Sequence, residues 1–301
     1  KSIYGLTTTT LLIDYLHANK LLRNLCGYES GRAIPSESTF SRAFADFSQA
    51  QILERIHQKI ITENLSEEFV FHISRDSTSI EVREKPAPKK ETTAKEQKPK
   101  RKRGRPRKTE PKVEPEKTRI EQQKERGLEE NLEDLPKVQC EKGTKKDAKG
   151  YKYSWNGYKL HLDVIDGDIP ISAILTGAGI HDSQLAIPLA QMSDSRVTSL
   201  YDLMDAAYDA GAIKEAIEDL GRVPIIDPNP RRGPKVQLPV DRVERFKNRS
   251  SVERVNGNLK DNFGGKSVRV KGAAKVMCHL MFGLIALTAS QLYRARAIQK
   301  R

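Results

Sequence analysis

The stretch that decides how this chain is interpreted lies near its C-terminus and reads Arg249-Ser-Ser-Val-Glu253-Arg-Val-Asn256-Gly-Asn-Leu-Lys260. Because each residue of an α-helix turns by about 100°, a helix through this stretch gathers its polar residues into one stripe: Arg249, Glu253, Asn256 and Lys260. One carboxylate is thereby set among basic groups, which suits a site that holds a divalent metal ion beside a phosphate. The alternative is a solvated helix face with intrahelical ion pairs.

The positive charge of the 301-residue chain is concentrated in two segments. The whole sequence has a formal net charge of +13. Residues 85–119 contain 15 Lys/Arg and 5 Asp/Glu, and residues 229–275 contain 13 and 4, which leaves −6 for the rest of the chain. Two basic segments on an otherwise acidic chain indicate a polyanionic partner such as nucleic acid. The second segment includes Glu253.

Cysteine usage and hydropathy indicate the compartment. Cys26, Cys140 and Cys278 lie far apart without disulfide or metal-ligand spacing, which favours a reducing compartment and no zinc site. No signal peptide is visible, and the first residue, Lys1, is consistent with a truncated start. The apolar run from Val276 to Leu292 contains several polar residues, so we interpret it as a buried helix and expect no membrane partner. We expect a cytoplasmic protein, associated with the nucleoid if it is bacterial.

Residues 1–65 have the pattern of three helices. The first covers Thr10 to Leu25, the second begins after a cap at Ser36, and the third runs from about Gln51 to Asn64. Such a unit is either a helix-turn-helix reader of DNA or a packing or dimerisation bundle, and the sequence leaves both open. The apolar positions at helical spacing are Leu11, Tyr15, Leu22 and Leu25 in the first helix, Phe40, Phe44 and Phe47 in the second, and Ile52, Ile56 and Ile60 in the third.

Residues 83–149 are rich in charged residues and proline and have few large apolar residues, so they are predicted to be a disordered insert. A helical piece over Lys117 to Asp134 can follow its basic part. Eight of the eleven residues in 98–108 are basic. Their centre resembles the AT-hook, in which an extended core lies in the narrow minor groove of A·T-rich DNA. The alternative is an unspecific basic linker that binds phosphate. The residues that resemble the AT-hook core are Arg103, Gly104, Arg105 and Pro106.

The remaining segments alternate between strand and helix patterns, which predicts a mixed sheet with helices on its faces. The run Phe69–Ile73 reads as a strand, so Asp76 is expected at or near a strand end as a metal-binding carboxylate or a turn residue. Alternating residues on both sides of Asp166-Gly167 predict a hairpin. Trp155, the only tryptophan, is expected either to pack or to stack on a base. The later elements are a helix over Gln184–Gln191 capped by Asp182 or Ser183, a strand from Ser199 ending in acidic residues, a helix over Ala212–Leu220 and a strand from Val223.

The spacing Phe246-x2-Arg249-x3-Glu253-x6-Lys260 resembles the Tyr-x2-Arg-x3-Glu-x6-Lys signature of bacterial insertion-sequence transposases of the DDE type. Phe246 stands where that family has Tyr, so a hydrogen bond from a tyrosine hydroxyl is lost here. The resemblance covers nearly all of the chain except residues 83–149. The other blocks that resemble the family are His72–Thr78, Tyr158–Leu162, Thr176–Ser183, Asp205–Asp209 and the helix start Pro35–Phe40.

The resemblance implies an α/β fold with an RNase H-like mixed sheet flanked by helices. Residues 1–65 would be a small N-terminal helical domain, 66–82 the first catalytic strand, 83–149 the disordered basic insert, and 150–301 the rest of the catalytic domain. Asp76, Asp205 and Glu253 would converge as the catalytic carboxylates and bind two Mg²⁺ ions, for which Mn²⁺ can substitute. Arg249 and Lys260 would contact DNA phosphates.

The function implied is a DNA transposase, in which water frees a 3′-hydroxyl at each transposon end and that hydroxyl attacks target DNA. The partners would be transposon-end and target DNA, with a homodimer in the assembled complex. Asp202 and Asp209 compete with Asp205 as the second carboxylate, and Asp205 is preferred because it alone has the family's Asp-x-x-Tyr spacing to Tyr208. Two alternatives stay open: a transposase-derived DNA-binding or architectural protein that no longer cuts, and an RNase H-like nuclease.

Overall fold

A mixed β-sheet organises the protein, which we describe from a computed structural model over residues 1–88, 116–146, 149–230 and 236–299. Within these residues six strands pair in the order β2-β3-β1-β5-β6, and β4 pairs with β3. The strands are β1 Phe69–Glu81, β2 Glu141–Lys146, β3 Lys152–Ile165, β4 Ile169–Gly177, β5 Thr198–Met204 and β6 Val223–Ile226. The helices are α1 Thr9–Ala18, α2 Lys20–Leu25, α3 Glu37–Gln49, α4 Ile52–Leu65, α5 Arg119–Lys124, α6 Leu128–Glu133, α7 Ala186–Asp194, α8 Gly211–Asp219, α9 Val240–Phe246, α10 Ser250–Asn262 and α11 Ala273–Gln299.

Strand β3 is antiparallel to β1, β2 and β4, whereas β1, β5 and β6 are parallel to one another. The β3–β4 connection turns at Gly167 and Asp168, which both have positive φ, at 81° and 60°. Ile165 pairs with Ile169, so three residues connect the strands, and residues of positive φ are typical of such short hairpin loops. The predicted hairpin and the mixed α/β class are therefore confirmed.

Four buried charged side chains join the central strands. The Arg75 guanidinium on β1 donates two hydrogen bonds of 2.7 Å to Asp163 on β3 and one of 3.1 Å to Asp202 on β5. Arg222 donates to the other Asp202 oxygen at 2.9 Å. Two cations and two carboxylates balance in charge, so none of the four is left uncompensated in the interior. This buried network fixes β1, β3 and β5 relative to one another.

The sheet has an apolar core on each side. One core contains residues of β3 together with α10 and α11, among them Leu160, Val255 and Leu284. The other joins α7 and α8 to the end of β5 and includes Met204 and Tyr208. Segment Ala273–Ala297 of α11 passes a length and composition test for a membrane-crossing helix, but half of its most apolar window is buried inside the protein. Helix α11 packs in the core, as the apolar run predicted.

The N-terminal helices depart from the prediction in two places. The single helix expected over Thr10–Leu25 is two helices, because Asn19 interrupts it and its side chain accepts a hydrogen bond of 2.9 Å from Leu22 N at the start of α2. Leu16 is the buried residue of α1, whereas Leu11 and Leu25 are exposed. Helix α3 begins after Ser36 as predicted, and Phe44 stacks on Phe282 of α11.

Helix α4 has the expected length, but its buried face was predicted wrongly by one residue. Ile56, expected to point inward, is 42% exposed. The face is set by α11, where Thr288 Oγ1 lies 3.2 Å from His57 Nε2. The residues of α4 that are buried are Leu53, His57, Ile61 and Leu65.

The prediction of a disordered insert over 83–149 was wrong for residues 116–146, which form α5, α6 and β2. The helical piece expected over Lys117 to Asp134 is present as the two helices α5 and α6. Helix α5 starts with a capping box formed by Thr118 and Glu121. Its Gln123 is buried and donates to Gln184 O at 2.9 Å, and Asn131 of α6 is buried against Gln191. This segment is ordered by buried amide hydrogen bonds, which a measure of apolar content does not detect. The AT-hook-like residues 103–106 lie outside the described residues.

Candidate active site

Asp76 lies in the middle of β1 and not at the strand end that the sequence predicted. Two pairings of β1 explain the difference. The parallel ladder with β5 stops at the pair Arg75–Met204, whereas the antiparallel ladder with β3 continues to Glu81. Asp76 is thus the first β1 residue beyond the end of β5. Its Oδ1 accepts a hydrogen bond of 2.7 Å from Ser77 N, and its side chain is about one-fifth exposed at 21%.

Asp205 directly follows β5. Because Arg75 is paired with Met204, the next residues on the two parallel strands, Asp76 and Asp205, emerge side by side at one edge of the sheet. The Asp205 side chain caps the 3₁₀ helix Ala206–Tyr208 by accepting from Ala207 N at 2.9 Å. The structure therefore brings the first two predicted carboxylates together.

Burial and mutual repulsion act on the protonation of both aspartates. Burial raises the pKa of Asp76 to about 6; the Ser77 N–H opposes this, and the neighbouring Asp205 carboxylate adds to it. Burial also raises the pKa of Asp205, against the hydrogen bond from Ala207 and the charge of Arg249. Because the carboxylates of Asp76 and Asp205 are close together and partly desolvated, a cation bound beside them would be stabilised.

The two competing carboxylates are engaged elsewhere. Asp202 is fully buried between Arg75 and Arg222. Asp209 forms an ion pair of 2.6 Å with Lys214 and accepts from Asn229 N at 3.0 Å. Of the three acids near the end of β5, Asp205 is the one beside Asp76.

Arg249 connects Asp76 with Glu253. It ends the 3₁₀ helix Lys247–Arg249, which is held against β1 by a hydrogen bond of 3.2 Å from Ser74 Oγ to Asn248 O. The Arg249 guanidinium lies 3.9 Å from Asp76 Oδ2 and donates a hydrogen bond to Glu253 Oε1, one turn further on in α10. The Glu253 side chain is half exposed, at 53%.

Asp76 and Asp205 are thus neighbours, whereas Glu253 is linked to Asp76 through Arg249. Across residues 1–88, 116–146, 149–230 and 236–299, no group of three or more His, Cys, Asp or Glu side chains is arranged to hold a metal ion. The intrahelical ion pair that the sequence left open as the alternative is present, since Arg249 and Glu253 are four residues apart.

The other two positions of the signature also contact this region. Lys260 Nζ donates to Ser79 Oγ of β1 at 3.3 Å, and burial lowers the pKa of Lys260, as does the charge of Lys145. The Arg249 guanidinium lies over the Phe246 ring, 5.7 Å from its centroid. Phe246 therefore supports Arg249 with an aromatic face, a role that needs no hydroxyl.

Sequence reasoning missed a third carboxylate at the site. Asp182, interpreted as a helix cap, begins the 3₁₀ helix Asp182–Leu185, but the capping side chain is His181. The Asp182 carboxylate accepts from Lys159 Nζ at 2.9 Å, and its charge contributes to raising the pKa of both Asp76 and Asp205. The one signal for it in the sequence was its place in the block Thr176–Ser183.

Tyr208 lies in the core next to Asp76 and Asp182. It is fully buried, and in the described part of the chain its hydroxyl has no hydrogen-bond partner. Burial and the nearby charges of Asp182 and Asp76 hold the pKa of Tyr208 well above its ordinary value. The tyrosine of the Asp-x-x-Tyr block is thus a neutral phenol buried in the core near Asp76 and Asp182.

The donor set fits a divalent cation. Carboxylate oxygens are the ligands that Mg²⁺ and Mn²⁺ prefer, and Asp76 and Asp205 offer them in a partly desolvated setting that favours a positive charge. Basic groups surround the pair without filling it: Arg249 on one side and, further away, Lys145. Such an arrangement can hold a metal ion beside a phosphate.

Strands β4, β3 and β1 are antiparallel neighbours, and β1, β5 and β6 are parallel neighbours. This order, with one carboxylate directly after β5 and one beside it on β1 where the β1–β5 pairing stops, defines the RNase H-like class of α/β domains. The family model described as the transposase DDE domain matches residues 72–289, more than two thirds of the chain. The protein belongs to the DDE transposase domain family, which implies transposase activity and DNA binding, and whose members generally use a divalent metal. No curated protein and no solved structure matches the chain.

Proposed function

We propose that this protein is a bacterial insertion-sequence transposase that cuts DNA at transposon ends and joins the freed 3′-hydroxyl to target DNA. The observation that carries the proposal is the emergence of Asp76 and Asp205 from paired parallel strands, with Glu253 joined to Asp76 through Arg249. Cytoplasmic location and a homodimer in the assembled complex are part of the same proposal.

Asp76, Asp205 and Glu253 are the residues that would hold two Mg²⁺ ions, with Mn²⁺ as a substitute. When bound, such a pair supplies activation of the attacking oxygen and stabilisation of the leaving one. The β1–β5 register supports this role for Asp76 and Asp205, because it holds their backbones side by side. Glu253 is half exposed on the first turn of α10, so a change of rotamer can turn it from Arg249 towards the aspartates.

Arg249 and Lys260 have the proposed role of holding DNA phosphates. Arg249 is one-fifth exposed, and its planar guanidinium can exchange a carboxylate for a phosphate, which offers the same paired-oxygen geometry. Lys260 lies further along the same face of α10, beside β1. Together they would guide the DNA backbone across the two aspartates.

Residues Arg103, Gly104, Arg105 and Pro106 are proposed to contact the minor groove of A·T-rich DNA as an auxiliary arm. Deleting residues 98–108 is expected to weaken binding to an A·T-rich duplex more than to a G·C-rich duplex of equal length, since only the former has the narrow groove. Equal losses of affinity for the two duplexes would show that this segment binds DNA only through its positive charge and without groove specificity.

The test of the proposed activity uses a duplex that carries the DNA flanking the coding region. Asp76→Asn, Asp205→Asn and Glu253→Gln are each expected to abolish Mg²⁺-dependent nicking while duplex binding persists. Glu244→Gln is the matched control, because Glu244 is an exposed acid on α9 paired only with Lys247. Full nicking by any of the three variants would remove that residue from the site.

The products separate the alternatives. A joined product in a strand-transfer assay supports a transposase, and cleavage without joining would identify a nuclease. Binding without cleavage by the unaltered protein would identify a DNA-binding protein that has lost its activity.

A further inference from the structure

The β2–β3 hairpin carries a cluster of charge and aromatic surface that the proposed function does not use. Between Lys142 and Lys152 the sequence has five lysines and a single acid, Asp147, which lies outside the described residues. The side chains of Tyr151 and Tyr153 are exposed, at 70% and 48%. We propose that the face of this hairpin bearing Lys145 and Tyr153 is a DNA-binding surface that holds the strand next to Asp205, an inference that rests on the proposed function.

The strand register divides the hairpin into two faces. Gly143 is paired with Trp155 and Lys145 with Tyr153, so these four residues share one face. The intervening pairs, Lys142–Asn156, Thr144–Ser154 and Lys146–Lys152, lie on the other face. The hairpin therefore provides lysines on both faces, but aromatic residues within the paired strands only on the face of Lys145.

The Lys145 face leads to Lys159 and Asp182 at one side of the candidate active site, whereas Asp76, paired with Leu162, belongs to the opposite face of β1. Along β3 the odd-numbered residues share this face, and Lys159, four residues beyond Trp155, binds Asp182. Ser79, which accepts from Lys260, is the β1 residue paired with Lys159. The charge of Lys145 also acts on both Asp205 and Lys260. A DNA strand held by Lys260 would thus run onto this face.

The two aromatic residues on this face, Tyr153 and Trp155, are stacked on each other. Trp155 is buried across Gly143, where any Cβ would come within 2.4 Å of the indole ring, so glycine is required for the ring to lie flat. Tyr153 stacks on Trp155 with centroids 6.0 Å apart and an interplanar angle of 16°, and it remains half exposed. An exposed aromatic face beside lysines is the combination that binds unpaired bases and their phosphates.

The lysine contribution is tested by the salt dependence of binding. The full chain is titrated in EDTA with a fluorescein-labelled 40-base-pair duplex of random sequence at several salt concentrations. Lys145→Gln is expected to reduce the slope of log K against log salt by about 0.9, the value for one lost phosphate contact. Lys146→Gln, one residue away on the opposite face, is the matched control and should leave the slope unchanged. Equal changes in the two variants, or none in Lys145→Gln, would overturn the proposal.

The aromatic contribution is tested with a duplex that ends in a six-nucleotide single strand, against the same duplex with a flush end. Tyr153→Ala should weaken binding of the overhang duplex by roughly tenfold and leave the flush duplex unchanged, whereas Tyr153→Phe should retain full binding because it keeps the ring. Weaker binding of the overhang duplex by Tyr153→Phe, or an equal loss of affinity for both duplexes in Tyr153→Ala, would exclude stacking by Tyr153.

Trp155 offers a direct readout, since it is the chain's only tryptophan and Tyr153 lies on it. Titration with the overhang duplex should change the fluorescence emission of Trp155. The midpoint of that change should equal the midpoint of binding measured by fluorescein anisotropy. Unchanged emission at saturating DNA would show that the strand binds elsewhere. All three measurements are made without cleavage. Absence of nicking by the unaltered protein would therefore reject the proposed function without affecting these binding measurements. Absence of an effect in Lys145→Gln and Tyr153→Ala would reject the hairpin surface without affecting the proposed function.

Discussion

Arg75 is the residue on which the position of Asp76 depends, because it is the adjacent residue on β1 and is held by Asp163 and Asp202. Arg75→Met would leave Asp202 with Arg222, and Asp163 with the Ser193 hydroxyl and the charge of Arg196, to compensate them. We expect a loss of about 3–5 kcal/mol in the free energy of unfolding, measured by urea denaturation. Arg254→Ala is the contrast: it removes an ion pair with Asp168 from a 57% exposed arginine and should cost less than about 1 kcal/mol. Similar losses in the two variants would contradict the stabilising role of the buried network.

Asp76 is expected to make stability depend on pH. Its pKa in the folded protein is about 6, above the ordinary value near 4, because burial outweighs the Ser77 hydrogen bond and Asp205 and Asp182 outweigh Arg249. Between pH 4 and 6 the folded state therefore binds more protons than the unfolded state, and stability falls as pH rises.

The change that tests this is Asp76→Asn. The variant should be more stable than the unaltered protein at pH 7 by up to about 3 kcal/mol in metal-free buffer, and the gain should shrink towards zero as pH falls to 4. Urea unfolding at pH 4, 5, 6 and 7 measures it, with Glu244→Gln as the control for an exposed acid. A gain that is constant across this range would show that Asp76 is not the titrating group.

At the scale of single residues, the sequence predicted those contacts and roles that depend on the spacing of residues close together in the chain. The Asp-x-x-Tyr block separated Asp205 from Asp202 and Asp209, and the structure gives the reason: Tyr208 is packed beneath the site while Asp202 is a buried counter-ion. The contact of Glu253 with Arg249 follows from their separation by four residues. The proximity of Asp182 could not be predicted, because it depends on the pairing of β3 with both β1 and β4.

Among the elements, α4 shows the limit of periodicity. Its sequence contains two overlapping apolar stripes, one through Ile52, Ile56 and Ile60 and one through Leu53 and Ile61, and both have helical spacing. Tertiary contacts select the second stripe: His57 contacts α11, and Ile61 packs against β1 and the β3–β4 hairpin. A hydrophobic pattern predicted the helix and its length, but the neighbouring elements determine which face is buried.

This difference gives a matched pair of variants on one helix. Ile61 is fully buried against β1 and the β3–β4 hairpin, so Ile61→Ala should cost about 2–5 kcal/mol in the free energy of unfolding. Ile56→Ala makes the same chemical change at a 42% exposed position and should cost less than about 1 kcal/mol. Equal costs, measured by urea denaturation, would show that the two stripes are buried alike.

Segment 116–146 is a second element that composition could not describe. Its few apolar residues, among them Ile120 and Leu132, pack against the cores, and buried Gln123 and Asn131 add hydrogen bonds that a measure of apolar content does not detect. Their partners are backbone and amide groups of α7 and of the 3₁₀ helix before it. Such pairings are long-range and leave no periodic signal.

For the whole molecule, the helices of residues 1–65 and the RNase H-like sheet share their cores. Leu53 of α4 lies in the same cluster as Leu160 and Leu284, and Ile61 in the same cluster as Ile73. We therefore expect one cooperative unfolding transition, with coincident midpoints by circular dichroism and by Trp155 emission, which reports on β3. An earlier transition in circular dichroism alone would show that the N-terminal helices unfold as a separate unit.

The segment 89–115 joins two parts of the chain that are each tied to the folded body. On one side Ala87 N donates to Cys140 O at 2.9 Å, and on the other Arg119 is bound by Asp134. Every strand named above and each of the proposed catalytic carboxylates is supplied by residues outside that segment. If the proposed function holds, an engineer could exchange the segment for a sequence-specific DNA-binding domain without altering Asp76, Asp205 or Glu253.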